Sequence, residues 1–182
     1  MNIAGEKIRD LLSPVCAALD AHAFLRVSVE DGSDAAVAEP LCSMLAVADF
    51  AHGPYPPLYP PADLRLPMTV DDIAAKLKIV ALSEDRVLSL LVNMCTRDLT
   101  YQSAWGPWAP ETARSILAQV LDALGPQIRW WSNNDFSFAQ NWDANGDPDC
   151  YSSDGLTGYV FDRALIGSGA GVLVTFLAFA DD

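Results

Sequence analysis

The sequence predicts an α+β protein, with a helical N-terminal two-thirds packed on one face of a mostly antiparallel C-terminal sheet. Apolar residues recur at helical spacing as far as Leu124, and beyond Gly125-Pro126 the period shortens to that of strands. The chain has 182 residues, of which 51% are hydrophobic, and this is enough to build one core. We therefore expect a single globular domain over residues 1–182.

The first helical pattern contains a break. Ile3, Ile8 and Leu11 have near-helical spacing, which predicts a helix from the start of the chain. Ser13-Pro14 then has the form of a cap followed by proline at a first helical position. The pattern therefore predicts that a second helix begins there.

Residues 24–67 predict a strand, a helix and a loop. The alternation of apolar and polar residues over 24–30 is typical of a half-buried strand. A helix is expected within 35–50, and because Pro40 falls inside it, the helix is expected to start near Glu39. Residues 53–67 hold six of the twelve prolines, which predicts an internal proline-rich loop.

Three helix starts carry clear local signals in the middle of the chain. Thr69 and Asp72 have the spacing of a capping box, with Asp in place of Glu. Ser83 is expected to cap a helix that ends near Leu99. Pro110 opens the best-marked helix, which is expected to end at Leu124, before the Gly-Pro pair.

The last third of the chain predicts strands. Residues 127–132 are aromatic and β-branched, while 159–166 and 172–179 are apolar runs with 167–171 as their connecting turn. The uncharged run over 164–180 is 17 residues long, against about 20 for a membrane-spanning helix. With its glycines, this run predicts a buried hairpin, and no membrane association is expected.

The net charge of −13 limits the classes of partner. Nucleic acids and anionic membranes need a basic surface, so neither is expected as a partner, whereas a basic protein or a cation would suit the charge. From Trp130 onward, eight aspartates stand against one arginine, so the charge is concentrated in the C-terminal part. The N-terminus shows no apolar leader, and we expect a bacterial cytoplasmic protein with free cysteines.

No motif in the sequence predicts catalysis or a cofactor. The two histidines have no nucleophile or carboxylate in a recognisable arrangement, and Gly167-Ser168-Gly169 lacks the spacing of a nucleophile turn. The four cysteines show no zinc-type spacing. We expect a non-enzymatic protein without a cofactor, and an enzyme with an unrecognised carboxylate site remains an alternative.

The stretch 130–154 is the candidate functional site, because it combines three tryptophans and five aspartates with no Lys or Arg. Aromatic residues are enriched at binding hot spots, and clustered carboxylates steer a basic partner. Neighbouring residues on a strand point to opposite faces, so one of the adjacent tryptophans is expected in the core. The predicted partner-binding residues are Trp130, Trp131, Asp135, Trp142, Asp143, Asp147, Asp149 and Asp154.

This profile is similar to that of the small acidic immunity proteins that neutralise bacterial toxins. The resemblance covers size and charge and no motif, and it implies inhibition of a basic protein partner such as a toxin domain.

A calcium-binding loop is the alternative for the same stretch, since Asp143-Ala144-Asn145-Gly146-Asp147 resembles EF-hand-like loops. Pro148 and Asp154 depart from that pattern, at the positions where such loops need glycine and glutamate. The alternative calcium ligands are Asp143, Asn145, Asp147, Asp149 and Asp154.

Overall fold

The computed structural model of the chain describes residues 2–17, 25–46 and 68–180. Within these residues the helices are α1 (Ile3–Ala17), α2 (Ala38–Leu45), α3 (Val70–Lys76), α4 (Glu84–Thr96) and α5 (Pro110–Leu124), with a 3-10 turn at Asp34–Ala36. The strands are β1 (Leu25–Asp31), β2 (Lys78–Ile79), β3 (Arg129–Ser132), β4 (Asn134–Asp135), β5 (Ser152–Ser153), β6 (Phe161–Gly169) and β7 (Val172–Ala180). The predicted α+β class is confirmed.

Five strands form one antiparallel sheet in the order β1-β7-β6-β3-β2. The hairpin of β6 and β7 lies at its centre, with nine residues in each strand and Leu165 paired with Phe176. β4 and β5 pair separately as a short two-stranded sheet. The N-terminal β1 is thus part of the same sheet as the C-terminal strands.

Helices cover both faces of the sheet, so the prediction of one helical face is wrong. Leu165, Val174 and Phe176 point to a face packed by α1, α4 and α5. Ile166 and Leu177 point to the opposite face, where they pack with residues of α2 and α3. The physical reason lies in the hairpin sequence, because strands with apolar residues at consecutive positions need cover on both sides.

The local helix signals are confirmed with one exception. Thr69 and Asp72 form the capping box, Ser83 accepts a hydrogen bond from the Arg86 amide, and α5 begins at Pro110. The exception is Pro14, which lies inside an unbroken α1 instead of opening a second helix. Tertiary packing of Leu12 and Val15 in the core holds the helix together across the proline.

The turn between β6 and β7 is shorter than predicted, because Gly167 and Gly169 belong to β6. A Cβ atom on Gly167 would lie 2.6 Å from the Trp130 ring, and one on Gly169 would lie 2.3 Å from the Leu124 carbonyl oxygen. These glycines allow close packing, and the turn itself is Ala170-Gly171, both with positive φ.

Several predictions fall on other parts of the chain. The proline-rich loop 53–67, residue 24 of the first strand and residues 47–50 of the third predicted helix lie outside the described residues. No helix among the described residues is long and apolar enough to cross a membrane.

Candidate functional site

The candidate stretch forms a long surface loop between β3 and β6, which we call the acidic loop (residues 134–154). Its two ends are joined by the β4–β5 pair, in which Asn134 faces Ser153. Below this pair, the Asp154 amide donates to the Asn133 carbonyl at 2.9 Å. The loop therefore leaves and rejoins the body of the protein at one point, the end of β3.

Arg163, on β6, anchors the acidic loop from beneath with only 1% of its side chain exposed. Its Nη1 atom lies 3.1 Å from Asp147 Oδ1, and its Nε donates to Asn134 Oδ1 at 3.3 Å. The guanidinium also stacks over the rings of Tyr151 and Phe136, 4.7 and 5.7 Å from their centroids. These contacts offset the cost of removing the guanidinium from water, and they hold four loop residues around one cation.

Asp162 fixes the segment that follows the loop, on the opposite face of β6. Its Oδ2 atom accepts hydrogen bonds from the amides of Leu156 and Thr157, both at 2.8 Å, and from the Thr157 hydroxyl. Its Oδ1 atom accepts from Asn133 Nδ2 at 2.7 Å. Burial raises the pKa of Asp162, while these donors act in the opposite direction.

The loop lies on helix α4 through aromatic contacts. The Trp142 ring lies 6.2 Å from that of Phe136 by centroid, and Arg86 of α4 stacks over the Trp142 ring at 5.2 Å. Gly146 has φ +82, and a Cβ atom there would lie 2.5 Å from the Ser89 carbonyl oxygen. The tip of the loop thus contacts the helix backbone closely, which only glycine permits.

The remaining carboxylates of the loop accept hydrogen bonds from the loop itself. Asp143 Oδ1 accepts from the amides of Asn145 and Asp147 at 2.8 and 2.9 Å. Asp149 accepts from the Asn141 side chain, which lowers the pKa of Asp149, and from the Gln140 amide. These bonds order the backbone, while the exposed carboxylates keep their charge toward solvent.

The carboxylates at the base of the loop are held in the same way. The amide of Ser137 donates to Asp135 and lowers the pKa of that carboxyl group. Asp154 forms an ion pair with Lys78 of β2 at 2.8 Å, and its hydrogen bond raises the pKa of Lys78.

The adjacent tryptophans separate as expected for a strand. Trp130 is 6% exposed and packs in the core over Gly167. Trp131 points to the other face and is half-buried, opposite Ile79 of β2, which is 72% exposed. A partner could reach Trp131 and Trp142 but not the ring of Trp130.

The structure does not bring three carboxylates of the alternative calcium set together. Asp143 is bonded to loop amides, Asp147 to Arg163 and Asp154 to Lys78, so the carboxylates point to separate partners. Within residues 2–17, 25–46 and 68–180, no three His, Cys, Asp or Glu side chains lie close enough to hold a metal ion. The spacing in the sequence could not reveal this, because Arg163 lies beyond the loop.

Sequence reasoning missed Arg163 and Phe138. Arg163 is the one basic residue after Trp130 and lies in an apolar strand, a combination that could have marked it as a buried charge. Phe138, on a turn of the loop, is 63% exposed, and no pattern in the sequence separates it from the core phenylalanines. Comparisons with protein-family models, with curated proteins and with solved structures found no match to this chain.

Proposed function

We propose that this chain is a non-enzymatic binding protein that captures and inhibits a basic protein partner through the acidic loop. Its action would be that of the toxin-neutralising immunity proteins that it resembles in size and charge. The observation that carries the proposal is the internal bracing of the loop, because Arg163, Asp143 and Asp149 fix its backbone before any partner arrives. A preordered loop loses little conformational entropy on binding.

Charge supports the same proposal. The net charge of −13 attracts a basic partner at long range, and the carboxylates of Asp135, Asp143, Asp149 and Asp154 concentrate that charge on one loop. Each of the four has a hydrogen-bond or ion-pair partner that fixes its position. Fixed carboxylates favour a defined binding orientation over loose association.

Apolar residues at the loop supply the second component of an interface. Phe138 is largely exposed, and Trp142 is half-buried between Arg86 and Phe136. Trp131 and the exposed Ile79 add apolar surface at the neighbouring sheet edge. Burial of such aromatic side chains would slow dissociation once charge has guided the encounter. The buried Trp130 has no part in this interface.

A catalytic role receives less support from the same region. The carboxylate with a raised pKa, Asp162, is 6% exposed and both of its oxygens accept hydrogen bonds from the protein. A general acid or base needs access to substrate, and this carboxylate is enclosed by its own partners.

The test measures association rates with basic proteins encoded by genes adjacent to the one for this chain. We expect the association rate constant to fall about 10-fold or more between 20 and 200 mM NaCl. Asp135→Asn combined with Asp143→Asn should slow association, because the loop amides bond to one oxygen of each carboxylate and asparagine keeps an acceptor oxygen there while removing the charge.

The matched control is Asp10→Asn combined with Asp122→Asn, which removes two exposed charges from α1 and α5. Equal slowing by both double variants would show that the loop does not direct association. A cognate partner that associates equally fast at low and high salt would contradict the electrostatic mechanism.

A further inference from the structure

A small cavity adjoins the tip of the acidic loop and is lined by two arginines. It measures about 210 Å³ and lies between the C-terminal half of α4, the first turns of α5 and the loop tip. Its lining includes Thr96, Arg97, Glu111, Arg114 and Asn145.

Two of the eleven basic residues of an acidic chain line this cavity. Arg114 is held in place by Ser89, whose hydroxyl accepts from Nη2 at 2.9 Å, and by an ion pair with the exposed Asp85. Arg97 is held from the other side, since its Nη1 donates to the Gln102 carbonyl at 3.0 Å. Each guanidinium group has five N–H donors, so donors remain on both arginines for a ligand.

Arg97 is fixed by a network that carries two unfavourable features. Gln102 has φ +54, a left-handed conformation that non-glycine residues rarely adopt. Asn93, one helical turn before Arg97, donates to Gln102 Oε1 at 2.7 Å. Asn93 is fully buried, and within the described part of the chain its Oδ1 atom has no hydrogen-bond partner.

Such costs persist where the surrounding structure maintains them, and they cluster at binding sites. A strained Gln102 and an unsatisfied Asn93 beside the same arginine therefore indicate that the position of Arg97 matters for more than folding. The independent bracing of Arg114 by Ser89 brings a second guanidinium to the same cavity.

We propose that this cavity binds a carboxylate group between the guanidinium groups of Arg97 and Arg114. The planar fork of a guanidinium matches the two oxygens of a carboxylate. Glu111 also lines the cavity and carries a negative charge, so a monoanion fits better than a phosphate or sulfate dianion. The carboxylate comes either from a small organic acid or from the C-terminus of a peptide.

Asn145 links this site to the acidic loop, because it lines the cavity from the loop tip. A bound carboxylate would therefore hold the tip of the loop against α4 and α5. The site does not depend on the function proposed above, since it uses arginines and not the loop carboxylates.

The test is a titration of the full chain by two-dimensional amide NMR at constant ionic strength. The probes are acetate and N-acetyl-diglycine, with the neutral isosteres acetamide and N-acetyl-diglycine amide as controls. We expect saturable shifts at the amides of Thr96, Glu111 and Asn145 with at least one acid, and none with the neutral isosteres. Response to acetate alone would identify a small acid, and response to both acids would admit a peptide C-terminus.

Variants separate this cavity from other basic sites. Arg114→Gln should weaken carboxylate binding about 10-fold or more, because it removes one of the two guanidinium groups that contact the ligand. Arg129→Gln is the matched control, since Arg129 is an exposed arginine that pairs with Asp34 elsewhere on the molecule. Glu111→Gln should strengthen binding several-fold by removing a like charge.

Four results would overturn the proposal. The first is the absence of saturable shifts with both acids, and the second is equal shifts with acid and neutral isostere. The third, from a parallel titration with sodium sulfate, is saturation with sulfate but not with either carboxylate. Unchanged affinity in Arg114→Gln would also overturn it, provided that the variant keeps the wild-type spectrum away from the cavity.

Discussion

Arg163 lies on β6 with 1% of its side chain exposed, and its charge is balanced by Asp147, sixteen residues earlier in the chain. The free-energy cost of removing an arginine from water is larger than the gain from one neutral hydrogen bond. The buried guanidinium therefore has an ion pair, a hydrogen bond to the Asn134 side-chain oxygen and contacts with two aromatic rings. One side chain thus orders several residues of the acidic loop. Asp147, predicted as a partner-binding residue, has a structural contact as well.

Asp147→Ala should lower the free energy of unfolding by about 2–4 kcal/mol, because the buried Arg163 then lacks its counterion. The measurement is urea denaturation followed by tryptophan fluorescence. Asp154→Ala is the matched control, since its ion pair with Lys78 is nearly half exposed on both sides and should contribute under about 1 kcal/mol. Equal losses in the two variants would contradict the anchoring role of Arg163.

At the scale of elements, the acidic loop packs against α4. Trp142 contacts Arg86, and Gly146 contacts the backbone at Ser89. The buried polar side chains of α4 have partners outside the loop, since Ser89 bonds Arg114, Asn93 bonds Gln102 and Thr96 bonds the Val92 carbonyl. The loop covers α4 through Trp142 and Gly146, so this helix is buried on more than its apolar side.

Gly146→Ala should destabilise the protein by about 2 kcal/mol or more, because φ is positive there and the added Cβ atom meets the Ser89 carbonyl. Gly155→Ala is the control, since no atom lies within 4 Å of its added Cβ, and its effect should stay within about 0.5 kcal/mol. Urea denaturation measures both variants, and limited proteolysis reports detachment of the loop. A Gly146→Ala variant as stable and as protease-resistant as wild type would exclude this packing.

The whole molecule combines a sheet covered on both faces with a strongly negative surface. The two apolar clusters on either side of β6 and β7 provide the core. The chain has 24 acidic and 11 basic residues, which gives the net charge of −13. Self-repulsion of that net charge opposes folding, and the exposed ion pairs offset it only in part. The same surface charge supports the proposed steering of a basic partner.

Raising NaCl from 10 to 200 mM should therefore increase the melting temperature by about 2–4 °C, since screening relieves roughly 1 kcal/mol of repulsion. Differential scanning calorimetry measures this change. The double variant Asp10→Asn/Asp122→Asn, with a smaller net charge, should show a smaller increase. A melting temperature that falls with salt would mean that attractive ion pairs outweigh the net charge.

A structural feature can be predicted from the sequence when the interactions that produce it act over a short range along the chain. The helix from Pro110 and the capping box at Thr69 were predictable because their signals act within one helical turn. The continuity of α1 across Pro14 was not, because packing of Leu12 and Val15 against distant residues decides it. Gly167 and Gly169 have the sequence pattern of a turn, because their close contacts with Trp130 and Leu124 leave no local signature in the sequence.

The sequence by itself determined the α+β class, the hairpin at the C-terminus and the negative, aromatic character of 130–154. Composition and short-range periodicity carry that information directly. Only the tertiary structure decided that helices cover both faces of the sheet, that Trp130 is buried while Trp131 is half-buried, and that the loop carboxylates bond to separate partners. These outcomes depend on desolvation and on pairing between residues far apart in the chain, as between Asn133 and Asp162.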